Sequence, residues 1–302
     1  MVGKLSLNEK MSSTSSDIAK FRRVVWNYWK KSGRHELPWR KTTDPYKILV
    51  SEVMLQQTQV PRVIEKYKEF LRAFPNVRAL AKAPLADVLK VWSGMGYNRR
   101  AKFLRDASKQ LVLTFSGRVP LAYYDLRKLP GVGDYTAKAV RVFAFNKRDV
   151  LIETNIRAAS INHFFEDARI STGRQKCVRS GALVNDRNIL PFAEKAAEGQ
   201  DPREWHWALM DYGAHLKRSG VRNNQRSAHY AKQSKFEGSL RQVRGEILRQ
   251  LMKGNNGLKG MKGEKWGKPF DKLRAKALEG LAQDGLIVKV KGKPARPGWR
   301  IA

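Results

Sequence analysis

The fold is decided by one short stretch of the chain, Leu129-Pro130-Gly131-Val132-Gly133-Asp134-Tyr135-Thr136-Ala137. Its proline and two glycines predict a tight turn, and Gly133 leads straight into a helical segment. Backbone N–H groups in such a hairpin can face a phosphate, because a glycine has no side chain to block a close approach. A Gly-x-Gly turn by itself is also typical of a plain connection between two helices.

The net charge of the chain favours the interpretation that the hairpin binds a phosphate. The 302 residues include 60 Lys and Arg against 27 Asp and Glu, a net charge of +33. A field of this sign indicates a polyanionic partner, nucleic acid first and an anionic membrane second. No apolar stretch approaches the roughly 18 residues of a membrane span, and the N-terminal residues lack the apolar core of a signal peptide. We therefore expect a cytoplasmic, nucleoid-associated protein whose hairpin is a helix-hairpin-helix that grips the DNA backbone.

The spacing of apolar residues predicts helices through most of the chain. Residues 1–16 are polar and rich in Ser and Thr, which is typical of a mobile tail. The pair Ser16-Asp17 is a good N-cap, and helical spacing follows it from Ile18 onward. No alternation with a period of two residues appears before residue 285, so the main body is predicted to be all-α.

A small basic module is predicted at residues 237–302. Apolar residues at helical spacing indicate one helix from Leu240 to Leu251 and another from Phe270 to Leu281. A turn at Asp284-Gly285 then precedes alternating residues that run toward Trp299. Two helices followed by a basic hairpin suggest a winged-helix-like α+β module, a common nucleic-acid scaffold. The alternative is a basic tail that packs on the body and adds charge.

Two carboxylates stand in unusually apolar surroundings. Glu52 lies in the middle of Ile48–Leu55, and Glu153 follows Val150-Leu151-Ile152 at the start of a helix. Because burial disfavours the charged form of an acid, Glu52 is either an ion-pair partner or an acid for proton transfer. Glu153 can stabilise positive charge near a reacting sugar, can cap its helix, or can do both.

Cysteine and histidine usage argues against a metal site. The single cysteine, Cys177, excludes an intrachain disulfide, a thiolate zinc finger and a four-cysteine iron–sulfur site. The five histidines show no spacing typical of a metal centre. We expect no metal and no iron–sulfur cluster, whereas a monovalent cation at the hairpin is compatible with this reading.

Five motifs stand in order with consistent spacing: Leu37-Pro38-Trp39-Arg40, Ser51 to Val60, Gly94-Met95-Gly96-Tyr97, Leu129 to Thr136, and Met210-Asp211-Tyr212-Gly213-Ala214. Together they resemble the adenine DNA glycosylases of the helix-hairpin-helix superfamily, over roughly residues 20–235. The resemblance implies a two-lobed all-α body with one lobe from 17–44 and 156–236 and a second lobe from 45–155. It also implies a monomer that binds double-stranded DNA with a mismatched or damaged base pair.

The resemblance also implies roles for individual residues. Glu52 would protonate N7 of an adenine flipped out of the duplex, while Glu153 and Asn155 would lie beside the sugar. Tyr135 stands where bifunctional relatives carry the lysine of a Schiff base, so this chain is expected to be monofunctional. Lys138 is nearby in sequence but is expected to point elsewhere.

The resemblance also implies which residues contact the DNA and which form the pocket for the displaced base. Gln57 and Tyr97 would enter the duplex where the base left, because base flipping must be offset by such contacts. The other expected DNA contacts are Thr58, Met95, Gly131, Val132 and Gly133. The expected base pocket consists of Trp39, Arg40 and Trp207.

The sequence departs from the family at four points. The cluster cysteines would fall at Lys217, Asn224, Ser227 and Gln233. Glu153 replaces an aspartate. Trp207 replaces a Glu or Gln that touches adenine, and the large domain that recognises 8-oxoguanine is missing. The expected reaction is hydrolysis of the N-glycosidic bond of adenine opposite 8-oxoguanine or guanine. Two alternatives remain, a thymine/uracil mismatch glycosylase of the same fold and a catalytically silent DNA-binding protein.

Overall fold

The computed structural model describes residues 7–165, 183–232, 235–254, 258, 270–290 and 298–302, without the side chains of 7–14 and 270. The α-helices are α1 (Leu7–Ser32), α2 (Pro45–Leu55), α3 (Val60–Ala73), α4 (Val77–Lys82), α5 (Leu85–Val91), α6 (Arg99–Phe115), α7 (Tyr123–Lys128), α8 (Asp134–Phe145), α9 (Thr154–Phe164), α10 (Asp186–Ala197), α11 (Pro202–Arg218), α12 (Leu240–Met252) and α13 (Phe270–Gln283). Two 3-10 helices span Pro38–Arg40 and Asn223–Arg226, and two strands follow, β1 (Ile287–Val290) and β2 (Gly298–Ile301). The predicted all-α body with a small C-terminal hairpin is confirmed. None of the described helices is long and apolar enough to cross a membrane.

Helix α1 begins earlier than the sequence predicts. It runs from Leu7, so residues 7–16, expected in a mobile tail, are helical. The physical reason lies in Leu7, Glu9, Lys10 and Met11, which are all good helix formers and outweigh the Ser/Thr run behind them. Residues 1–6 and Cys177 lie outside the described part of the chain.

The chain divides into two compact units, and the unit boundaries differ from the expected lobes. The first unit contains residues 1–43 and 137–232, and the second contains 44–136 and 233–302. The sequence predicts residues 137–155 in the second lobe and residues 237–302 as a module of their own, whereas residues 137–155 belong to the first unit. In the structure the C-terminal residues pack within the second unit.

The first unit is built on the close packing of α9 against α11. A Cβ atom on Gly213 of α11 would lie 2.0 Å from the carbonyl oxygen of Asn155. Only glycine therefore allows the two helix backbones to approach this closely at that point. Two turns earlier in α11, Trp205 is fully buried, with its ring centroid 6.0 Å from that of Phe21.

The second unit places α2 at its centre. Asp44 caps α2 by accepting hydrogen bonds from the N–H groups of Tyr46 and Lys47, and Pro45 supplies the first helical residue. All residues of α2 from Ile48 to Met54 are buried. The turn between α7 and α8 adopts a left-handed backbone at Gly131, with a φ angle of 75°.

The C-terminal residues form the predicted helices and hairpin. Strands β1 and β2 are antiparallel, with Ile287 opposite Ile301 and Lys289 opposite Trp299. The apolar faces of α12 and α13 meet the hairpin in a small core that contains Val243, Ile247, Ala277, Leu281, Leu286 and Ile287. The expected Gly/Lys loop lies mostly outside the described residues.

We expect Gly213→Ala to destabilise the protein by about 1–3 kcal/mol or more, because the methyl group must displace the backbone at Asn155. Thermal unfolding followed by circular dichroism measures this effect. The matched control is Gly245→Ala in α12, where nothing lies within 4 Å of the added Cβ. That control should gain stability, because alanine is the better helix former. Equal melting temperatures for the two variants would contradict the close approach of α9 and α11.

Candidate functional site

Glu52 is the eighth residue of α2 and lies deep within the apolar part of the second unit. Its exposed fraction is 7%, and both neighbours, Ser51 and Val53, are buried as well. The predicted burial of this carboxylate is confirmed. A buried acid of this kind is a candidate for proton transfer, since its surroundings exclude most of the water that would otherwise solvate it.

The turn that follows α2 holds Gln57 in a left-handed conformation. The φ angle of Gln57 is 53°, and its side chain is exposed. A non-glycine residue in this region costs roughly 1–3 kcal/mol, which the surrounding structure must offset. The neighbouring Gln56 contributes to that support, since its Nε2 donates a 3.2 Å hydrogen bond to Oγ1 of Thr136.

The same turn is held by Arg100 of α6, a residue that the sequence analysis missed. Nη1 of Arg100 donates to the carbonyl oxygens of Val53, Met54 and Gln56 at 2.8, 2.9 and 2.6 Å. Nη2 donates to Thr58 Oγ1 at 3.0 Å and to the carbonyl oxygens of Met95 and Gly96 at 3.3 and 3.2 Å. Burial lowers the pKa of Arg100 to about 10, so the group stays charged at neutral pH. One guanidinium thus joins the end of α2 to the loop that carries Tyr97.

The loop from Gly94 to Tyr97 carries two residues that are predicted to contact DNA, Met95 and Tyr97. Only the side chain of Tyr97 is partly exposed. Tyr97 is half-buried and left-handed, with a φ angle of 47°. Met95, in contrast, is 3% exposed and packs inward. Its side chain is therefore not on the surface, and a DNA contact at this position would have to use the backbone.

The hairpin between α7 and α8 exposes its two glycines. Gly131 and Gly133 are exposed, whereas Val132 is buried and donates its N–H to the carbonyl oxygen of Leu129 at 3.1 Å. The N–H of Val132 is therefore used inside the turn rather than for a phosphate. Beyond the hairpin, Tyr135 is half-buried in the first turn of α8. The N-terminus of a helix favours the binding of anions.

Glu153 caps α9 in the first unit. Its Oε1 accepts hydrogen bonds from the N–H groups of Asn155 and Ile156 at 2.8 and 3.0 Å. The amide of Asn155 donates to Oε2 at 3.3 Å. Desolvation raises the pKa of Glu153 above its ordinary value, although these hydrogen bonds and Arg157 oppose the shift. The capping role suggested by the sequence is confirmed, and it orients the carboxylate and Asn155 together.

His206 of α11 holds the segment that leads to Glu153, and the sequence analysis missed this as well. The N–H of Leu151 donates to Nε2 of His206 at 3.1 Å, and the other ring nitrogen lies 2.6 Å from the carbonyl oxygen of Pro202. Since Nε2 accepts, Nδ1 carries the proton and donates to Pro202. Burial lowers the pKa of His206 to about 4, which keeps the ring neutral.

The residues of the expected base pocket lie together in the first unit. Trp207 is 9% exposed and stacks on Phe143, with ring centroids 5.7 Å apart and planes 9° apart. The guanidinium of Arg40 lies over Trp207 at 5.5 Å. Trp39 is buried, with 5% of its surface exposed.

Arg40 is also committed to a buried ion pair. Its two terminal nitrogens bind Asp211 Oδ2 and Oδ1 at 2.8 and 2.9 Å, and the backbone N–H of Arg34 donates to Oδ2 at 2.6 Å. Burial alone would raise the pKa of Asp211, but the hydrogen bonds and charges of Arg40 and Arg34 hold it below its ordinary value. Arg40 therefore has a structural task besides any contact with a base.

An open groove of about 530 Å³ borders these residues, and its lining includes Arg40, Lys41, Thr43, Glu204 and Trp207. Glu204 is exposed and lies one helical turn before Trp207 on α11. The groove thus joins an aromatic wall to two carboxylates, Asp201 and Glu204, and to hydroxyl and cationic groups. This combination suits a planar heterocycle with polar edges.

The residues at the expected cluster positions do not fit an iron–sulfur cluster. Lys217, Asn224 and Ser227 offer no thiolate, and Gln233 lies outside the described residues. This segment is instead held by backbone pairing, in which Val184 donates to the carbonyl oxygen of Arg226 and accepts from the N–H of Ala228, both at 2.8 Å. Within the described ranges no group of three or more His, Cys, Asp or Glu is placed to hold a metal ion.

We expect His206 to make the stability of the protein fall as pH decreases from about 6.5 to about 4. Its pKa is about 4 in the folded state and about 6.5 when unfolded, so the unfolded state binds the proton first. Relative to His206→Gln, the wild type should lose up to about 3 kcal/mol over this range. Urea unfolding of both proteins at several pH values measures the difference. A difference that stays constant with pH would show that His206 is not held neutral.

Comparison with known proteins places the chain in a family. Residues 50–195 match the model of the HhH-GPD superfamily of base excision DNA repair proteins. A protein of Mycobacterium tuberculosis named adenine DNA glycosylase is 33% identical over 288 residues, which cover 89% of this chain and 91% of the relative. One from Buchnera aphidicola subsp. Baizongia pistaciae, with the same name, is 40% identical over 198 residues, which cover 64% of this chain and 52% of the relative. The chain thus spans about half the length of the latter.

Two other similar proteins are named for a different base. A thymine/uracil-DNA glycosylase of Pyrobaculum aerophilum is 36% identical over 200 residues, covering 62% of this chain and 87% of the relative. The solved structure of a thermostable thymine-DNA glycosylase superimposes with a TM-score of 0.57 at 28% identity, over 67% of this chain and 88% of that chain. All of these proteins are named DNA glycosylases, but they differ in the base that their names give. The chain therefore belongs to the HhH-GPD superfamily of base excision DNA repair proteins, as a member of its DNA glycosylases.

Proposed function

We propose that this glycosylase is a monofunctional enzyme that hydrolyses the N-glycosidic bond of adenine paired with 8-oxoguanine or guanine in double-stranded DNA. The observation that carries the proposal is the buried Glu52 in α2. Protonation of a purine at N7 makes the base a better leaving group, and a protonated carboxyl group in an apolar helix is suited to supply that proton. The two relatives named adenine DNA glycosylase support the choice of adenine.

Glu153 supplies the negative charge of the proposed reaction. As the bond to the base breaks, positive charge develops on the sugar, and a fixed carboxylate stabilises it. Burial raises the pKa of Glu153, while the N-terminus of α9 and the two backbone N–H groups that donate to the carboxylate oppose this shift and favour the ionised form. Asn155 is held against the same carboxylate at 3.3 Å, so both groups keep a defined orientation.

Hydrolysis rather than strand cleavage follows from Tyr135. A phenol cannot form the Schiff base that a lysine forms with the sugar. Water is therefore the expected nucleophile. Lys138 is half-buried on α8, one turn beyond Tyr135 in the sequence, and is not assigned a role in the reaction.

Trp207 favours a second candidate function. An indole stacked on Phe143 can cover the face of a base but cannot accept hydrogen bonds from its edge, as the Glu or Gln expected at this position would. The thymine and thymine/uracil relatives make a pyrimidine the natural alternative. Of the two carboxylates on the same groove, Asp201 already accepts hydrogen bonds from Asn146 and from the N–H of Glu204. In the adenine proposal, Glu204 is therefore the carboxylate that accepts a hydrogen bond from the amino group of the base.

We expect Glu52→Gln to abolish excision while duplex binding stays near the wild-type level. The amide keeps the shape and polarity of the side chain but cannot deliver a proton. Single-turnover excision and a fluorescence anisotropy titration measure the two properties. The control is Glu65→Gln, which alters an exposed glutamate of α3 and should leave both unchanged. Retention of more than about a hundredth of the rate, a loss of under ~3 kcal/mol, would move the acid's role to another group.

The choice of base is tested by a panel of duplexes with A:8-oxoG, A:G, T:G and U:G pairs. We expect adenine to be released from the first two and little release of thymine or uracil, because a pyrimidine has no N7 for Glu52 to protonate. We propose that Gln57 and Thr58 also contact the base opposite the adenine. Discrimination between 8-oxoguanine and guanine should be weak, since it rests on these two side chains. Faster release of thymine or uracil than of adenine would establish the second candidate function, and no release from any duplex would favour a silent DNA-binding protein.

A further inference from the structure

The C-terminal helix α12 contacts the loop that carries Tyr97. Nη1 of Arg241 donates a 2.7 Å hydrogen bond to the hydroxyl oxygen of Tyr97. The same guanidinium lies 5.5 Å from the centroid of the Tyr97 ring and 5.4 Å from that of Phe236. Both distances are within the range of a cation–π contact.

A second set of contacts docks the C-terminal helices against the start of α6. Asp284, which directly follows α13, accepts a hydrogen bond from Arg99 at 3.0 Å and pairs with Arg244 of α12. Gly285 has a φ angle of 64°, and a Cβ added there would lie 3.0 Å from Cε of Lys102. The contact of Arg241 with Tyr97 is therefore part of a docked surface rather than an isolated approach of one long side chain.

Tyr97 is held by two cations and by an unfavourable backbone. Besides Arg241, the guanidinium of Arg100 lies 5.6 Å from the Tyr97 ring. The left-handed φ angle of 47° at Tyr97 costs roughly 1–3 kcal/mol and persists only where surrounding contacts stabilise it. Arg100 fixes the loop backbone from the side of α2, and Arg241 fixes the phenol from the C-terminal helices.

We propose that Arg241 is a positioning residue for the glycosylase reaction, holding Tyr97 in the conformation in which it enters the duplex. This inference rests on the proposed function and on the role that the family resemblance implies for Tyr97, which is to fill the space of the displaced base. Restricting the side chain before binding removes part of the ordering entropy that DNA insertion would otherwise require. The C-terminal residues 237–302 then take part in base extrusion through a defined contact, in addition to any attraction that their charge has for phosphates.

The proposal is tested by comparing the variant Arg241→Gln with the matched control Lys276→Gln. Both variants remove one positive charge from the same basic segment, and Lys276 is exposed on α13. Hydrogen–deuterium exchange of the free protein should increase at residues 94–99 in R241Q and stay at the wild-type level in K276Q. Single-turnover excision should fall about tenfold in R241Q, equivalent to ~1.4 kcal/mol, and stay near wild type in K276Q. Extrusion, followed by 2-aminopurine fluorescence next to the target base, should fall with excision.

Tyr97→Phe shows whether Arg241 acts through the phenol. It removes the hydroxyl acceptor but keeps the ring, so Y97F should reproduce the loss of excision in R241Q. The double variant should show no further loss, because the two residues act as one unit. If Arg241 binds only phosphates, the two losses will multiply, Y97F will keep wild-type exchange at 94–99, and the proposal is wrong. If R241Q fails to fold, exchange and excision in Y97F decide the question alone.

The exchange measurement separates this inference from the proposed function. If the wild type releases no base from any duplex, the proposed function fails, and exchange at residues 94–99 still shows whether Arg241 orders the loop. If the wild type is active but R241Q matches K276Q in exchange and rate, the function stands and the positioning role is overturned.

Discussion

The second unit depends on one buried cation, the guanidinium of Arg100. Its two terminal nitrogens reach six oxygen atoms, and all six belong to neutral groups. A buried charge without an opposite charge is tolerated only when hydrogen bonds replace its hydration. Here those bonds come from the carbonyl groups at the end of α2, which lack partners within the helix, and from the loop before α6. The positions of Gln57 and Tyr97 therefore follow from the solvation of Arg100.

The first unit also contains a buried charge, and there it is stabilised by opposite charges. Asp211 is buried and binds both Arg40 and Arg34, so two cations share one carboxylate. His206 stays neutral and orders the backbone that leads to Glu153. In each unit a polar group that touches no candidate reacting atom fixes the residues that are assigned to the reaction, which is the usual relation between a reactive group and its supporting shell.

Local patterns in the sequence predict the helices, the turn between α7 and α8 and the C-terminal strands. Most of the features that they do not predict depend on contacts between residues far apart in the chain. The burial of Glu52, the hairpin with its exposed glycines and the C-terminal helices with their strands follow from spacing over ten or so residues. The side-chain burial of Met95 depends on packing that no local pattern reports. The bond of the Val132 N–H to Leu129 is local, but the Gly-x-Gly pattern does not specify which N–H groups the turn uses. Arg100 did leave a signal, because it falls on the same face of α6 as Leu104, Ala107 and Leu111, where a charged residue is out of place. The bond between Arg241 and Tyr97 joins residues 144 positions apart and leaves no such trace.

The left-handed backbone at Gln57 and Tyr97 sets stability and activity against each other. Glycine adopts this conformation without the steric penalty of a side chain, so a selection for heat resistance alone would enrich glycine at both positions. The same exchange would delete the two side chains assigned to enter the duplex. The left-handed backbone at each position thus lowers stability by roughly 1–3 kcal/mol, and glycine there would raise stability only by removing a side chain that is proposed to contact DNA.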